Sequence, residues 1–85
     1  MPEISRFLGI VIAMFHREHG PPHFHAYYGD YRATIEIKSG QVVGKFPRRA
    51  LLHVLEWRMQ HQAELLENWA LAEQKQPLKK IEPLE

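Results

Sequence analysis

Eighty-five residues, 45% of them hydrophobic and carrying a formal net charge of +1, predict one domain over residues 1–85 with a small core of its own. They exclude a disordered chain and a strongly basic nucleic-acid binder. The absence of cysteine excludes a disulfide framework and any Cys-based zinc site. Glu3 and Arg6 interrupt what would be the apolar run of a signal peptide, and the longest apolar stretch, Leu8 to Phe15, falls short of the ~20 residues a membrane helix needs. A cytoplasmic protein with no membrane partner is expected.

In Phe7 to Phe15, Phe7, Val11, Ala13 and Phe15 fall on one parity and Leu8, Ile10, Ile12 and Met14 on the other. This predicts a single strand buried on both faces, with Gly9 at a bulge or a close backbone approach. The second face needs a cover, either a helix or another chain, so a homodimer is one expectation. His16 to Pro22 is a loop, because Gly20-Pro21-Pro22 cannot continue a ladder. It carries His16, Arg17, Glu18 and His19 up to the next strand.

His23 to Tyr28 and Tyr31 to Ile37 alternate on either side of Gly29-Asp30, a strong hairpin signal. With Tyr28 and Tyr31 flanking the turn, Tyr27 faces Arg32, Ala26 faces Ala33, His25 faces Thr34, Phe24 faces Ile35 and His23 faces Glu36. Alternation then assigns Phe24, Ala26, Tyr28, Tyr31, Ala33, Ile35 and Ile37 to the core face. The opposite face carries His23, His25, Tyr27, Arg32, Thr34 and Glu36, nearly all able to donate, accept or carry a proton.

Lys38-Ser39-Gly40-Gln41 predicts another turn, and a short strand follows near Val42 to Phe46. Pro47 opens a helix whose apolar stripe is Leu51, Val54, Leu55, Arg58 (by its stem) and Met59. A break is expected near Gln60 to Ala63, then a second helix from about Glu64, with Leu65, Leu66, Trp69 and Ala72 at helical spacing, stopped by Pro77. Trp57 and Trp69 read as core, and His53 and His61 as solvated or capping groups. Arg48 and Arg49 sit where the helix dipole disfavours cations. Ile81 and Leu84 of the tail can dock on the core. The fold expected is α+β: a mainly antiparallel meander of about four strands, packed on one face by two C-terminal helices.

Three motifs and the tail carry a resemblance. Met1-Pro2-Glu3-Ile4-Ser5-Arg6-Phe7, Pro21-Pro22-His23-Phe24-His25-Ala26 and Glu64-Leu65-Leu66-Glu67-Asn68-Trp69, with Pro77 to Leu84, resemble the DUF4160 family of small bacterial proteins. The resemblance spans essentially the whole chain. It implies a component of a two-gene module with a DUF2442-type protein partner and a toxin–antitoxin role, and it brings no catalytic residues with it.

The residues themselves leave three chemistries open. His23 and His25, one residue apart on a strand, project from one face and can offer two ligands to zinc or a similar divalent metal, with His16, His19 or Glu36 as a third. Alternatively, His23, His25, Tyr27, Arg32 and Glu36 make an acid–base inventory for RNA cleavage. Histidine moves protons near neutral pH, Arg32 grips phosphate and Tyr27 stacks a base. The third reading is a module that binds a protein or nucleic-acid partner without chemistry, as an antitoxin-like regulator would.

Overall fold

The computed structural model describes residues 2–84, so Met1 of the N-terminal motif and Glu85 lie outside the described residues. Strands β1 (Glu3–Phe7), β2 (Ile10–Ala13), β3 (His23–Tyr28), β4 (Tyr31–Glu36) and β5 (Val42–Lys45) precede helices α1 (Arg48–Gln60) and α2 (Gln62–Glu73). The strands form one antiparallel sheet in the order β1-β2-β3-β4-β5. The fold is α+β, with five strands where about four were expected.

The extra strand comes from Leu8-Gly9. Instead of bulging one long strand, these residues turn the chain back, pairing Phe7 with Ile10, Arg6 with Val11 and Ser5 with Ile12. Leu8 and Gly9 both take positive φ, 51° and 78°, as a tight hairpin loop with right-handed strand twist requires. Gly9 also meets the expected close approach, since a Cβ there would stand 3.3 Å from the Tyr28 ring.

The central hairpin has the register its alternation predicts, from His23 opposite Glu36 to Tyr28 opposite Tyr31. Phe24, Ala26, Ala33, Ile35 and Ile37 are buried. Tyr28 and Tyr31, assigned to the core by parity, are instead exposed. They stand at the tip of the hairpin, where Tyr28 leans on Phe46 with ring centroids 6.1 Å apart.

The helices cover the face formed by Ile10, Ile12, Phe24 and Ile35. Trp57 of α1, fully buried, packs between Phe7 and Phe24 at centroid distances of 5.5 and 5.6 Å. The buried residues of α1 are Ala50, Val54 and Trp57, so the stripe is turned from the expected one and Met59 is 74% exposed. Pro47 serves as N-cap, one residue before the first helical position. The break falls at His61, and Leu65, Asn68, Trp69 and Ala72 form the buried side of α2.

Three devices lock this arrangement. Lys75, at φ 59°, ends α2 in a Schellman motif: Gln76 N–H donates to the Leu71 carbonyl and Lys75 N–H to that of Ala72. The tail then returns across the helices to β1, as its apolar residues suggested. Ile81 is buried and donates its N–H to the Ile4 carbonyl at 2.8 Å, while Trp57 Nε1 donates to the Glu82 carbonyl at 2.8 Å. On the other side, Arg58 donates to the carbonyls of Ile37 (2.9 Å) and Lys38 (3.0 Å), strapping the β4–β5 turn to α1.

Candidate functional site

The sheet face away from α1 is the open one. Its register sorts side chains into rows, because paired residues point to the same side and neighbouring strands stand about 4.8 Å apart. One row runs Arg6, Val11, Tyr27, Arg32, Lys45 from β1 to β5. The next runs Glu3, Ala13, His25, Thr34, Val43, and His23 with Glu36 lies beyond it. The face is therefore divided. Cations gather around Tyr27 in one row, and histidines with carboxylates occupy the others.

In the cationic row Arg32 and Lys45 are exposed, and among the described residues no carboxylate lies within ion-pair distance of either. Arg6 is partly engaged, because it donates to both carboxylate oxygens of Glu3 at 2.8 and 3.2 Å. That hydrogen bond holds the Glu3 carboxyl below its ordinary range. A groove of about 360 Å³ runs between His25, Tyr27, Arg32, Thr34, Val43 and Gly44. A second, of about 260 Å³, is lined by Pro21, His23, Thr34, Glu36, Gln41 and Val43. The two share Thr34 and Val43.

Gly44 sets the shape of the first groove. Its φ is +118°, and a Cβ there would stand 2.7 Å from the Arg32 carbonyl oxygen. Only glycine lets β5 approach β4 this closely beside Arg32.

In the histidine half the rings form a continuous line. Trp69 lies 5.1 Å from His23, His23 lies 5.3 Å from His25, and His25 stacks on Tyr27 at 6.5 Å, with Phe15 edge-on to His25 at 4.8 Å. The β2–β3 loop, which includes a cis Gly20–Pro21 peptide, brings Glu18 onto this line. Glu18 Oε1 stands 2.7 Å from His25 Nε2 and 3.2 Å from His23 Nε2. His23 Nδ1 donates to the Pro21 carbonyl at 2.9 Å, so both of its ring nitrogens have protein partners. A bound molecule would have to displace one of them to exchange a proton with His23.

Of the residues expected at the site, His23, His25, Tyr27, Arg32 and Glu36 share the open face. The two loop histidines do not join them. His16 and His19 are exposed, and His16 Nε2 donates to the Gln76 carbonyl at 2.9 Å, away from the His23–His25 pair. Their place is taken by Glu18, to which the sequence assigned no role. Its only signal was a carboxylate in the loop leading into a His-x-His strand. Lys45 was also missed, although continuing the hairpin register through the Gly40 turn would have set it beside Arg32.

Residues 9–70 match the family model of a domain of unknown function, DUF4160. No curated protein and no solved structure matches the chain. Among the described residues no helix is long and apolar enough to cross a membrane.

Proposed function

We propose that this chain, which belongs to the DUF4160 family, uses the open sheet face as a platform for single-stranded RNA. The observation that carries the reading is the row Tyr27, Arg32, Lys45 across three adjacent strands. Single strands are held by aromatic side chains on which bases stack, flanked by cations that track the phosphates. Tyr27 supplies the stacking surface. Arg32 supplies a planar fork for phosphate oxygens and Lys45 a point charge beside it. The floor of half-buried Thr34 and exposed Val43 leaves room for the sugar and the base edge.

The reading is of binding rather than cleavage. An imidazole that acts on a phosphodiester needs a nitrogen turned toward it. Both ring nitrogens of His23 are on protein partners, and His25 turns its Nε2 onto Glu18.

Fluorescence anisotropy of a labelled single-stranded RNA tests the platform. Tyr27→Ala should weaken binding by about 1–3 kcal/mol, the usual value of one base–aromatic stack. Arg32→Ala and Lys45→Ala should each flatten the slope of log K against log salt by about 0.7, the share of one neutralised phosphate. Wild-type binding that none of the three changes would set the platform aside.

A protein contact is carried by a different observation. Leu52 and Met59, seven residues apart and so on one side of α1, are 55% and 74% exposed. We assign this side to the module's protein partner, of the DUF2442 type, with a toxin–antitoxin role for the pair. Co-expression of the two proteins from one genome should give a complex that Met59→Glu dissolves. Separate elution of the wild-type proteins on gel filtration would remove the assignment.

A further inference from the structure

We propose that Glu18, His23 and His25 form a binding site for one divalent transition-metal ion of the zinc class. The site uses none of Tyr27, Arg32 or Lys45, and it adjoins the RNA platform through His25, which also lines the groove beside Tyr27.

The first argument is convergence. Glu18 Oε1 stands 3.2 Å from His23 Nε2 and 2.7 Å from His25 Nε2, and the ligand atoms of the three residues all lie within 4.8 Å of one another, so small side-chain rotations would set each at about 2.0–2.2 Å from one shared ion. Strand alternation places the two imidazoles on one face, and the β2–β3 loop brings the carboxylate to them from above.

The second argument concerns hydrogen. The Pro21 carbonyl can only accept, so His23 Nδ1 carries the N–H that it donates there. With Nδ1 committed to that carbonyl, Nε2 is the ring nitrogen His23 turns to Glu18 Oε1, 3.2 Å away. The same oxygen also faces His25 Nε2 at 2.7 Å. One carboxylate oxygen and two imidazole nitrogens thus converge on a single point, where one cation could be held by all three. A backbone carbonyl on the far nitrogen is, moreover, the partner that fixes the tautomer and orientation of metal-bound imidazoles.

The third argument is enclosure. His23, His25 and Glu18 keep only 15%, 21% and 29% of their side-chain surface. Trp69 and Phe15 wall the rings and hold their orientation before any ion arrives. Two imidazoles and one carboxylate select zinc or its first-row neighbours rather than calcium or magnesium, which take mainly oxygen ligands. Three protein donors leave a tetrahedral ion one position for a further donor, as in zinc sites that bind or activate a small molecule.

The test uses untagged protein, with zinc measured by equilibrium dialysis and cobalt(II) followed by its visible absorption. Wild type should take up about one ion per chain, and zinc should raise its melting temperature. Glu18→Gln and His25→Gln should each weaken binding by at least about tenfold, while His16→Gln and His19→Gln leave it unchanged. Should a variant fold poorly, imidazole ¹⁵N spectra of wild type give the same answer, because one equivalent of zinc should move the Nε2 signals of His23 and His25 alone. Absence of stoichiometric binding, binding that survives Glu18→Gln and His25→Gln, or binding that depends on His16 or His19 would each overturn the site.

Discussion

Asn68 and Lys79 are joined by two hydrogen bonds: Asn68 Nδ2 donates to the Lys79 carbonyl at 2.8 Å, and Lys79 N–H donates to Asn68 Oδ1 at 2.9 Å. The side-chain amide thus pairs with the tail as a neighbouring strand's backbone would. Asn68 is 1% exposed, so its polar atoms have little recourse to water. Asn68→Ala should cost about 1–3 kcal/mol, the usual penalty for stranding a buried partner. It should also free the tail, and limited trypsin digestion at Lys79 and Lys80 should accelerate in step with the lost stability. Unchanged digestion would show that the tail is held by Ile81 and Trp57 without Asn68.

Leu8 gives a prediction of the opposite sign. Its φ of 51° suits Asn or Gly better than a γ-branched side chain, and it is 64% exposed, with little packing to lose. Leu8→Asn should raise stability by about 1 kcal/mol in urea denaturation. A loss of stability would mean that Leu8 makes contacts worth more than the strain of its backbone.

How legible each element was in the sequence follows from such local facts. Gly29-Asp30 carries glycine where a two-residue loop needs it, and alternation on both sides fixes the register, so both faces of the hairpin follow. Leu8-Gly9 forms an equally tight turn but puts leucine at the left-handed position, inside a run already apolar on both parities. It therefore reads as the interior of one strand. Lys75 conceals the end of α2 in the same way, holding a left-handed position usually given to glycine. Parity alone also buried Tyr28 and Tyr31, since it does not say where the helical cover ends. Glu18 was the hardest to find: its approach to His23 and His25 depends on a loop path that no periodicity encodes.

Gly44 couples the fold to the proposed platform. Gly44→Ala would press a methyl group against the Arg32 carbonyl and strain a backbone at φ +118°. It should cost about 1–3 kcal/mol and weaken RNA binding beyond that loss, by moving Lys45 away from Arg32. Amide exchange on β5 faster than on β3 would report the displacement. Full retention of both stability and affinity would show that β5 adapts without disturbing the row.

The central claim is that a single strand of RNA lies across β3, β4 and β5 on the open face. A ¹H–¹⁵N correlation titration of the full chain with a short single-stranded RNA tests it residue by residue. The amides of Tyr27, Arg32, Thr34 and Lys45 should shift together and saturate with one affinity, while those of α1, including exposed Arg48 and Arg49, stay in place. Shifts confined to α1, or none at all at low salt, would contradict it.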